Sequence, residues 1–374
     1  MALPPFKLVK KQTEWADCLA RLRAQPRLAI DLEANSMFAY QERVCLIQIS
    51  IPGQDYIVDP LAQLNMDGFG QMIADPAVEK VFHAAEYDLI LLKQQYGWQL
   101  QNLFDTMWAA RILGYEKYGL ANILQTLYDV RLNKRYQKSN WCKRPLSQPQ
   151  LAYAQYDTHF LLQLRDDLNR QLIQADRQAE AAETFEQQTL VSLPSHEFDP
   201  DSFWSINGVQ DLTPSQQAVL KALAIYRDAE ARRRDQPHFK VMSERTLLEL
   251  AQRLPQKEEA LRHVHGMTSG QIRRYGRHIL HIIAEARDAT PPTPPRRGKR
   301  IPDAVLNRYD RLHTWRKERA QARGVESDVI VSRDALWEIA RLNPRSPADL
   351  QQVQALGSWR RQTYGPEILQ IIQK

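Results

Sequence analysis

Cysteine and glycine are both scarce in this sequence. Its three cysteines, Cys18, Cys45 and Cys142, lie far apart and form no C-x-x-C pair. That spacing argues against a disulfide framework or a structural zinc site, and reduced bystander thiols are expected. None of the 14 glycines falls in a G-x-G-x-x-G or G-x-x-x-x-G-K-[ST] pattern, so dinucleotide and triphosphate binding lack their usual signature and no nucleotide cofactor is expected. No stretch approaches the roughly 18 uninterrupted apolar residues of a membrane span. The start, MALPPFKLVKKQTEW, has no apolar run of the signal-peptide kind. A cytoplasmic protein without membrane contact is the expectation. With 43% hydrophobic and 25% charged residues in 374, wholesale disorder is excluded and two or three folded domains are indicated.

Charge is unevenly placed. Residues 1–190 carry 20 Lys+Arg against 22 Asp+Glu, whereas residues 191–374 carry 30 against 22. A basic C-terminal half suits a polyanion such as nucleic acid, although solvated helix faces are often basic too.

The first 110 residues alternate β-branched runs with amphipathic stretches, the pattern of an α/β domain. Leu28–Leu32, Val44–Ile51, Asp55–Val58 and Lys80–Phe82 read as strands, and Pro52-Gly53-Gln54 as a tight hairpin. Three antiparallel strands are therefore expected to open the fold. Helices are expected over Leu61–Ala74, Glu86–Tyr96, Thr106–Leu113 and Leu120–Tyr128, and as one run from Pro149 through Arg170 and beyond. The resulting division is a domain over 1–190, a connector over 191–214, a helical domain over 215–288, a Pro/Arg-rich linker over 289–302 and a second helical domain over 303–374.

The two helical segments repeat each other at one ungapped offset of 89 residues. Tyr226-Arg227 falls on Trp315-Arg316, Ser243 on Ser332, Leu247 on Leu336 and Pro255 on Pro344. Further along, Tyr275-Gly276 falls on Tyr364-Gly365, and Ile282-Ile283 on Ile371-Ile372. Two copies of one small helical bundle follow.

The chemistry lies in the first domain. Asp31 and Glu33 end an apolar strand, LAIDLEA, where alternation puts both carboxylates on one face. Like charges held side by side need a cation or a proton between them, and oxygen donors suit a hard divalent ion. A D-x-E alone ends many strands in solvent. Here Asp88 follows at the opening of a helix in VFHAAEYDLILL, and Tyr153 and Asp157 stand four residues apart on one helical face in LAYAQYDTHFLLQL. Taken singly, Asp88 is also a helix-dipole partner and Tyr153–Asp157 an ordinary surface pair.

In this order, D-x-E on a strand, H-x-x-x-x-D-L at a helix start and Y-x-x-x-D on a later helix resemble the tyrosine-containing subgroup of the DEDD exonucleases. The flanks FDTMWAARILGY and SNWCKRPLSQPQLAYAQYD, with two tandem helical modules behind them, are similar to the ribonuclease D family and its helicase-and-RNase-D C-terminal domains. The resemblance implies a ribonuclease-H-like α/β exonuclease domain, a mixed sheet flanked by helices, followed by two all-α helical bundles. It also implies 3′-to-5′ hydrolysis of RNA, with transfer RNA precursors as substrate and two divalent ions, Mg²⁺ or Mn²⁺. Asp31, Glu33, Asp88 and Asp157 would be the metal ligands and Tyr153 the residue that orients water. A monomer is expected.

Other residues near these motifs are weaker candidates. Asp105 reads as a helix N-cap or a supporting acid. Met37 or Phe38 could stack on the terminal base. His83 could meet a phosphate or ribose, and Lys138, Lys143 and Arg144 the incoming backbone. In the repeats, Arg232, Arg233, Arg234, Arg273, Arg274 and Arg277, then Arg316, Lys317, Arg319, Arg360 and Arg361, are expected to supply phosphate contacts. The clustered histidines of the repeats have no cysteine or acid constellation and are read as surface polar groups. Two rival readings are a DNA exonuclease of the same superfamily and an RNA-binding scaffold with an inactive nuclease domain.

Overall fold

The computed structural model describes residues 3–194, 197–295 and 300–373. Ser195 and His196 of the expected connector, and Arg296 to Lys299 of the expected linker, lie outside the described residues. The chain forms two units. One contains the residues up to Ala34, Val44–Leu193 and the chain from Arg300 onward; the other contains Asn35–Arg43 and Pro194–Lys299.

The first unit is built on a six-stranded sheet of order β1-β4-β3-β2-β5-β6. Its strands are β1 (Lys7–Val9), β2 (Arg27–Ala34), β3 (Val44–Ile51), β4 (Gln54–Val58), β5 (Glu79–Phe82) and β6 (Leu103–Asp105). β2, β3 and β4 form an antiparallel meander, β5 and β6 continue it in parallel beside β2, and β1 pairs parallel to β4. The turn between β3 and β4 is Pro52-Gly53. Gly53 has φ of +78°, a left-handed conformation open to glycine at the second central position of a Pro-Gly turn.

Around the sheet, the helices of this unit before Leu193 are α1 (Gln12–Arg23), α2 (Asp67–Ala74), α3 (Glu86–Tyr96), α4 (Thr106–Ile112), α5 (Leu120–Tyr128), α6 (Gln148–His159), α7 (Leu161–Gln174) and α8 (Gln178–Thr189). The four strands read from the sequence lie within β2 to β5. The meander does not open the fold, however, because β1 and α1 precede it. α1 had a legible signal, since Trp15, Cys18, Leu19 and Leu22 recur at helical spacing and are all buried. The run expected to be one helix after Pro149 breaks at Phe160 into α6 and α7.

Cys45 and Cys142 form a disulfide, which corrects the expectation of reduced thiols. Their sequence separation of 97 hides an adjacency that only the fold creates. Cys18 is free and buried, and desolvation pushes its thiol up to about 12.

The second unit holds the first helical copy: α9 (Pro214–Arg234), α10 (His238–Val241), α11 (Glu244–Arg253), α12 (Glu258–Leu261) and α13 (Ser269–Ala286). The second copy, in the first unit, repeats it as α14 (Asp303–Arg323), α15 (Ser327–Ile330), α16 (Arg333–Leu342), α17 (Pro347–Leu350) and α18 (Ser358–Gln373). Each copy has its own apolar core, and details recur at the same offset. Ser243 caps α11 through the Thr246 N–H, as Ser332 caps α16 through that of Ala335.

The second copy is joined to the exonuclease body by buried ion pairs. Glu180 of α8, fully buried, receives both terminal nitrogens of Arg323 at 2.9 Å. Glu183 sits at the start of α18, where it accepts the Trp359 N–H and pairs with Arg360 at 2.8 Å, an acid at the positive end of a helix. A Cβ at Gly357 would overlap the Glu183 carboxyl group, so this close approach needs glycine. Arg111 of α4 lies over Trp108 and pairs in the other direction with Glu326 and Asp328. The expected phosphate contacts at Arg316 and Arg360 are thereby corrected. Both are buried, and Arg360 is spent on Glu183, Thr184 and two carbonyls, while Arg316 donates to Val331 O.

Candidate active site

Three elements bring the carboxylates together. β2 carries Asp31 and Glu33 on one face; Asp31 stands opposite Gln48 of β3, and a register shift follows Glu33. α6 lies over that face and brings Tyr153 and Asp157. Its start is fixed by Ser147 and Gln150 in a capping box with Pro149 in the first turn. Its seat is a polar network in which Asp55 of β4, 3% exposed, accepts from Ser50 Oγ at 2.7 Å, Gln155 Nε2 at 2.6 Å and His159 Nδ1 at 2.8 Å. Burial opposes the Asp55 charge, but these hydrogen bonds win and hold its carboxyl below the usual range. Nothing in the sequence singled out Asp55. Its three partners come from two other elements, and only the fold joins them.

α3 brings the fourth acid. Ahead of it, Ala84 adopts φ of +63°, and the turn is held by Asp105, which accepts the N–H groups of Ala84 at 3.1 Å and Ala85 at 2.8 Å. The same carboxylate caps α4 through Met107 and Trp108. Asp105 is thus both of the things the sequence offered, an N-cap and a supporting acid.

Asp31, Glu33 and Asp157 each present an oxygen within 4.8 Å of the others. Asp88 is buried, and its charge acts on Glu33 as those of Asp31, Asp105 and Asp157 act on it. Burial pushes Asp31 up to about 7. Burial first and the neighbouring carboxylates second push Glu33, Asp88 and Asp157 well above the usual range. No lysine or arginine among the described residues lowers any of the four. Beside them, both amide atoms of fully buried Gln48 lack a hydrogen-bond partner among the described residues. Desolvated acids without a protein cation, next to an orphaned amide, fit a hard divalent ion and its water. Gln48 had no sequence signal beyond lying in a strand.

Tyr153 packs against Trp141 and Tyr136. Burial, then the charges of Asp157, Glu33 and Asp31, push its hydroxyl above its ordinary value, so it keeps its proton. A cavity of about 290 Å³ opens at Tyr153 and Asp157, lined also by Arg131, Asn133, Tyr136 and Tyr156.

The weaker candidates separate. His83 Nδ1 lies 2.9 Å from Thr106 Oγ1, whose own proton goes to Phe82 O at 3.0 Å. Nδ1 is therefore the donor and Nε2 an acceptor, and burial lowers the imidazole to about 4. Lys138 and Lys143 are exposed. Arg144 is not available to a substrate. It pairs with Asp59 at 2.6 and 2.8 Å and donates to the Trp141 and Cys45 carbonyls, which corrects its expected role. Met37 and Phe38 belong to the segment grouped with the first helical copy. Met37 is exposed, and the Lys240 ammonium lies 4.0 Å from the Phe38 ring.

Residues 6–173 match the family model of a 3′-5′ exonuclease, and residues 216–283 and 305–372 match that of the HRDC domain. A ribonuclease D of Pseudomonas paraeruginosa is 28% identical over 374 residues, covering 99% of this chain and 98% of its own length. The catalytic core of RRP6 from Trypanosoma brucei is 30% identical with a TM-score of 0.69, covering 76% of this chain and 81% of that one. The chain belongs to the ribonuclease D and RRP6 family of 3′-5′ exoribonucleases. Within that family, Protein RRP6-like 1 of Arabidopsis thaliana is 34% identical over 263 residues, 67% of this chain. The chain spans about two fifths of the length of such RRP6-type relatives. Escherichia coli RNase D, at 20% identity and a TM-score of 0.70 over 99% of both chains, shares the fold. The family depends on divalent metal, in keeping with the acidic cluster.

Proposed function

We propose that this chain shortens RNA from its 3′ end, releasing nucleoside 5′-monophosphates, with transfer RNA precursors as the substrate class. The observation that carries the reading is the group of desolvated carboxylates on β2, α3 and α6 with no lysine or arginine among the described residues to offset them. Asp31, Glu33 and Asp157 would hold one divalent ion, and Asp31 with Asp88 a second, Mg²⁺ or Mn²⁺. Bound there, such ions lower the pKa of water and offset charge on the five-coordinate phosphate.

The remaining roles belong to the chain. Tyr153, held protonated by burial and then by its acidic neighbours, orients the attacking water by accepting a hydrogen bond from it at the hydroxyl oxygen rather than removing its proton. Water oxygen bonds to phosphorus, the bond to the 3′ oxygen breaks, and that oxygen leaves with a proton. Neutral His83 offers Nε2 as an acceptor to a ribose hydroxyl, a role for which a phosphate is unsuited. Tyr136 and Tyr156 offer ring faces to the terminal base. The exposed Lys138 and Lys143 meet the backbone, and Met37 and Phe38 are weaker stacking candidates. The chain acts as a monomer in the cytoplasm.

The test sets matched RNA and DNA oligonucleotides side by side with Mg²⁺. Stepwise loss of mononucleotides from the RNA 3′ end, faster than from DNA, is expected. Equal or faster DNA degradation would favour the DNA exonuclease, and binding without cleavage the inactive scaffold.

A further inference from the structure

The two helical copies share a fold but not a surface. On α13, Arg273, Arg274, Arg277, His278 and His281 follow one another along one exposed side, opposite the buried Ile272, Tyr275, Gly276, Ile279 and Ile283. This is a stripe of helical spacing. None of its three arginines forms an ion pair with a carboxylate among the described residues; Arg274 rests over Tyr275 and His278 stacks on Tyr226. The positions 89 residues later, on α18, are Gln362, Thr363, Pro366, Glu367 and Gln370. The turn before each helix repeats the contrast, with Arg262, His263 and His265 against Gln351, Gln352 and Gln354, all exposed. The same backbone therefore presents the same face twice, once strongly basic and once neutral to acidic, so the fold does not require the charge.

The residues that seat the second copy are missing from the first in the same way. Arg360 and Asp328, which meet Glu183 and Arg111, correspond to Gln271 and Phe239. Gly357, under the Glu183 carboxylate, corresponds to Thr268. Arg234 occupies the place of Arg323 but pairs with Glu230 of its own helix at 2.9 Å.

We infer that the duplication has divided its labour: the α13 stripe of the first copy is the anchor for the RNA phosphate backbone, and the second copy is a structural part of the exonuclease body. This rests on the reading of the chain as an RNA exonuclease. A row of unpaired guanidinium groups on a helix matches successive phosphates by charge and carries no base-specific readout.

The test measures binding of the full chain to a folded RNA with a single-stranded 3′ tail, as a function of salt, with a chelator present to stop hydrolysis. The triple variant Arg273→Gln, Arg274→Gln, Arg277→Gln should bind at least about tenfold more weakly at 0.1 M salt, with its salt slope shallower by about 3, roughly one per lost phosphate contact. The Arg→Lys triple should keep most of both. Gln362→Ala, Thr363→Ala, Gln370→Ala on the second copy should match the parent. Unchanged binding by the first triple, or an equal loss in the last, overturns the division of labour. Mononucleotide release from a short RNA by the unmodified chain with Mg²⁺ checks the underlying reading separately. If it releases none, both fail; if it releases them while the first triple binds like the parent, only the stripe fails.

Discussion

At the scale of single residues, the site is defined by carboxylates held where their charge is unwelcome. Without metal, burial lets Asp31 take up its proton near pH 7, and burial with the neighbouring carboxylates holds Glu33, Asp88 and Asp157 well above the ordinary carboxylate range, against about 4 in an unfolded chain. The folded metal-free chain thus binds protons more tightly than the unfolded one. Its stability is full below the unfolded pKa and is lost as pH rises through the folded values. Melting of chelator-treated protein should fall from pH 5 to 8, with Mg²⁺ or Mn²⁺ restoring more at pH 8 than at pH 5. A flat or rising metal-free profile would contradict the arrangement. Tyr153→Phe removes one hydroxyl and little volume. If the hydroxyl orients water, the rate should fall roughly 10²- to 10⁴-fold with the metal concentration for half-maximal rate nearly unchanged; an unaffected rate would leave Tyr153 as packing alone. These five residues were legible in the sequence because each sits in a short pattern on a readable element. Gln48 and Asp55 were not, because their meaning comes from which strands and helices they face.

At the scale of elements, what matters is how α6 is seated on the sheet. Asp55 gathers Ser50, Gln155 and His159 beneath the helix that carries Tyr153 and Asp157. Asp55→Ala would leave Gln155 and His159 without their acceptor, a loss of about 3 kcal/mol. Denaturant unfolding should show that shift, and a change under about 0.5 kcal/mol would show that the network does not hold α6. The loop before α6 is tied by the Cys45–Cys142 disulfide and by Arg144 on Asp59. Strand alternation and capping residues made most elements readable in advance. The three-residue strands β1 and β6 were not readable, since so short a run has no period to detect.

At the scale of the whole chain, the repeat was visible as one offset of 89 residues, yet its consequence was not. Nothing in the pairing of Tyr275-Gly276 with Tyr364-Gly365 says that the second copy docks on α8. The sequence reads as a domain over residues 1–190, so that a fragment ending near Leu190 would be a unit of its own. The buried Glu180 and Glu183 pairs, with Val329 in the exonuclease core, argue otherwise. That fragment should melt well below the full chain or aggregate. Glu183→Ala, which leaves Arg360 buried without its carboxylate, should cost about 3 to 5 kcal/mol of the full chain's stability. A fragment as stable as the full chain, with a silent Glu183→Ala, would mean that the second copy is only attached.

The most direct measurement follows a 5′-labelled single-stranded RNA under Mg²⁺ with the parent chain and with Asp31→Asn, the ligand shared by both proposed ions. The parent should give a ladder shortening one nucleotide at a time from the 3′ end, abolished by chelation and by the substitution, while the variant still folds and binds RNA. Internal cuts, loss from the 5′ end, or an Asp31→Asn turnover within tenfold of the parent would contradict the account.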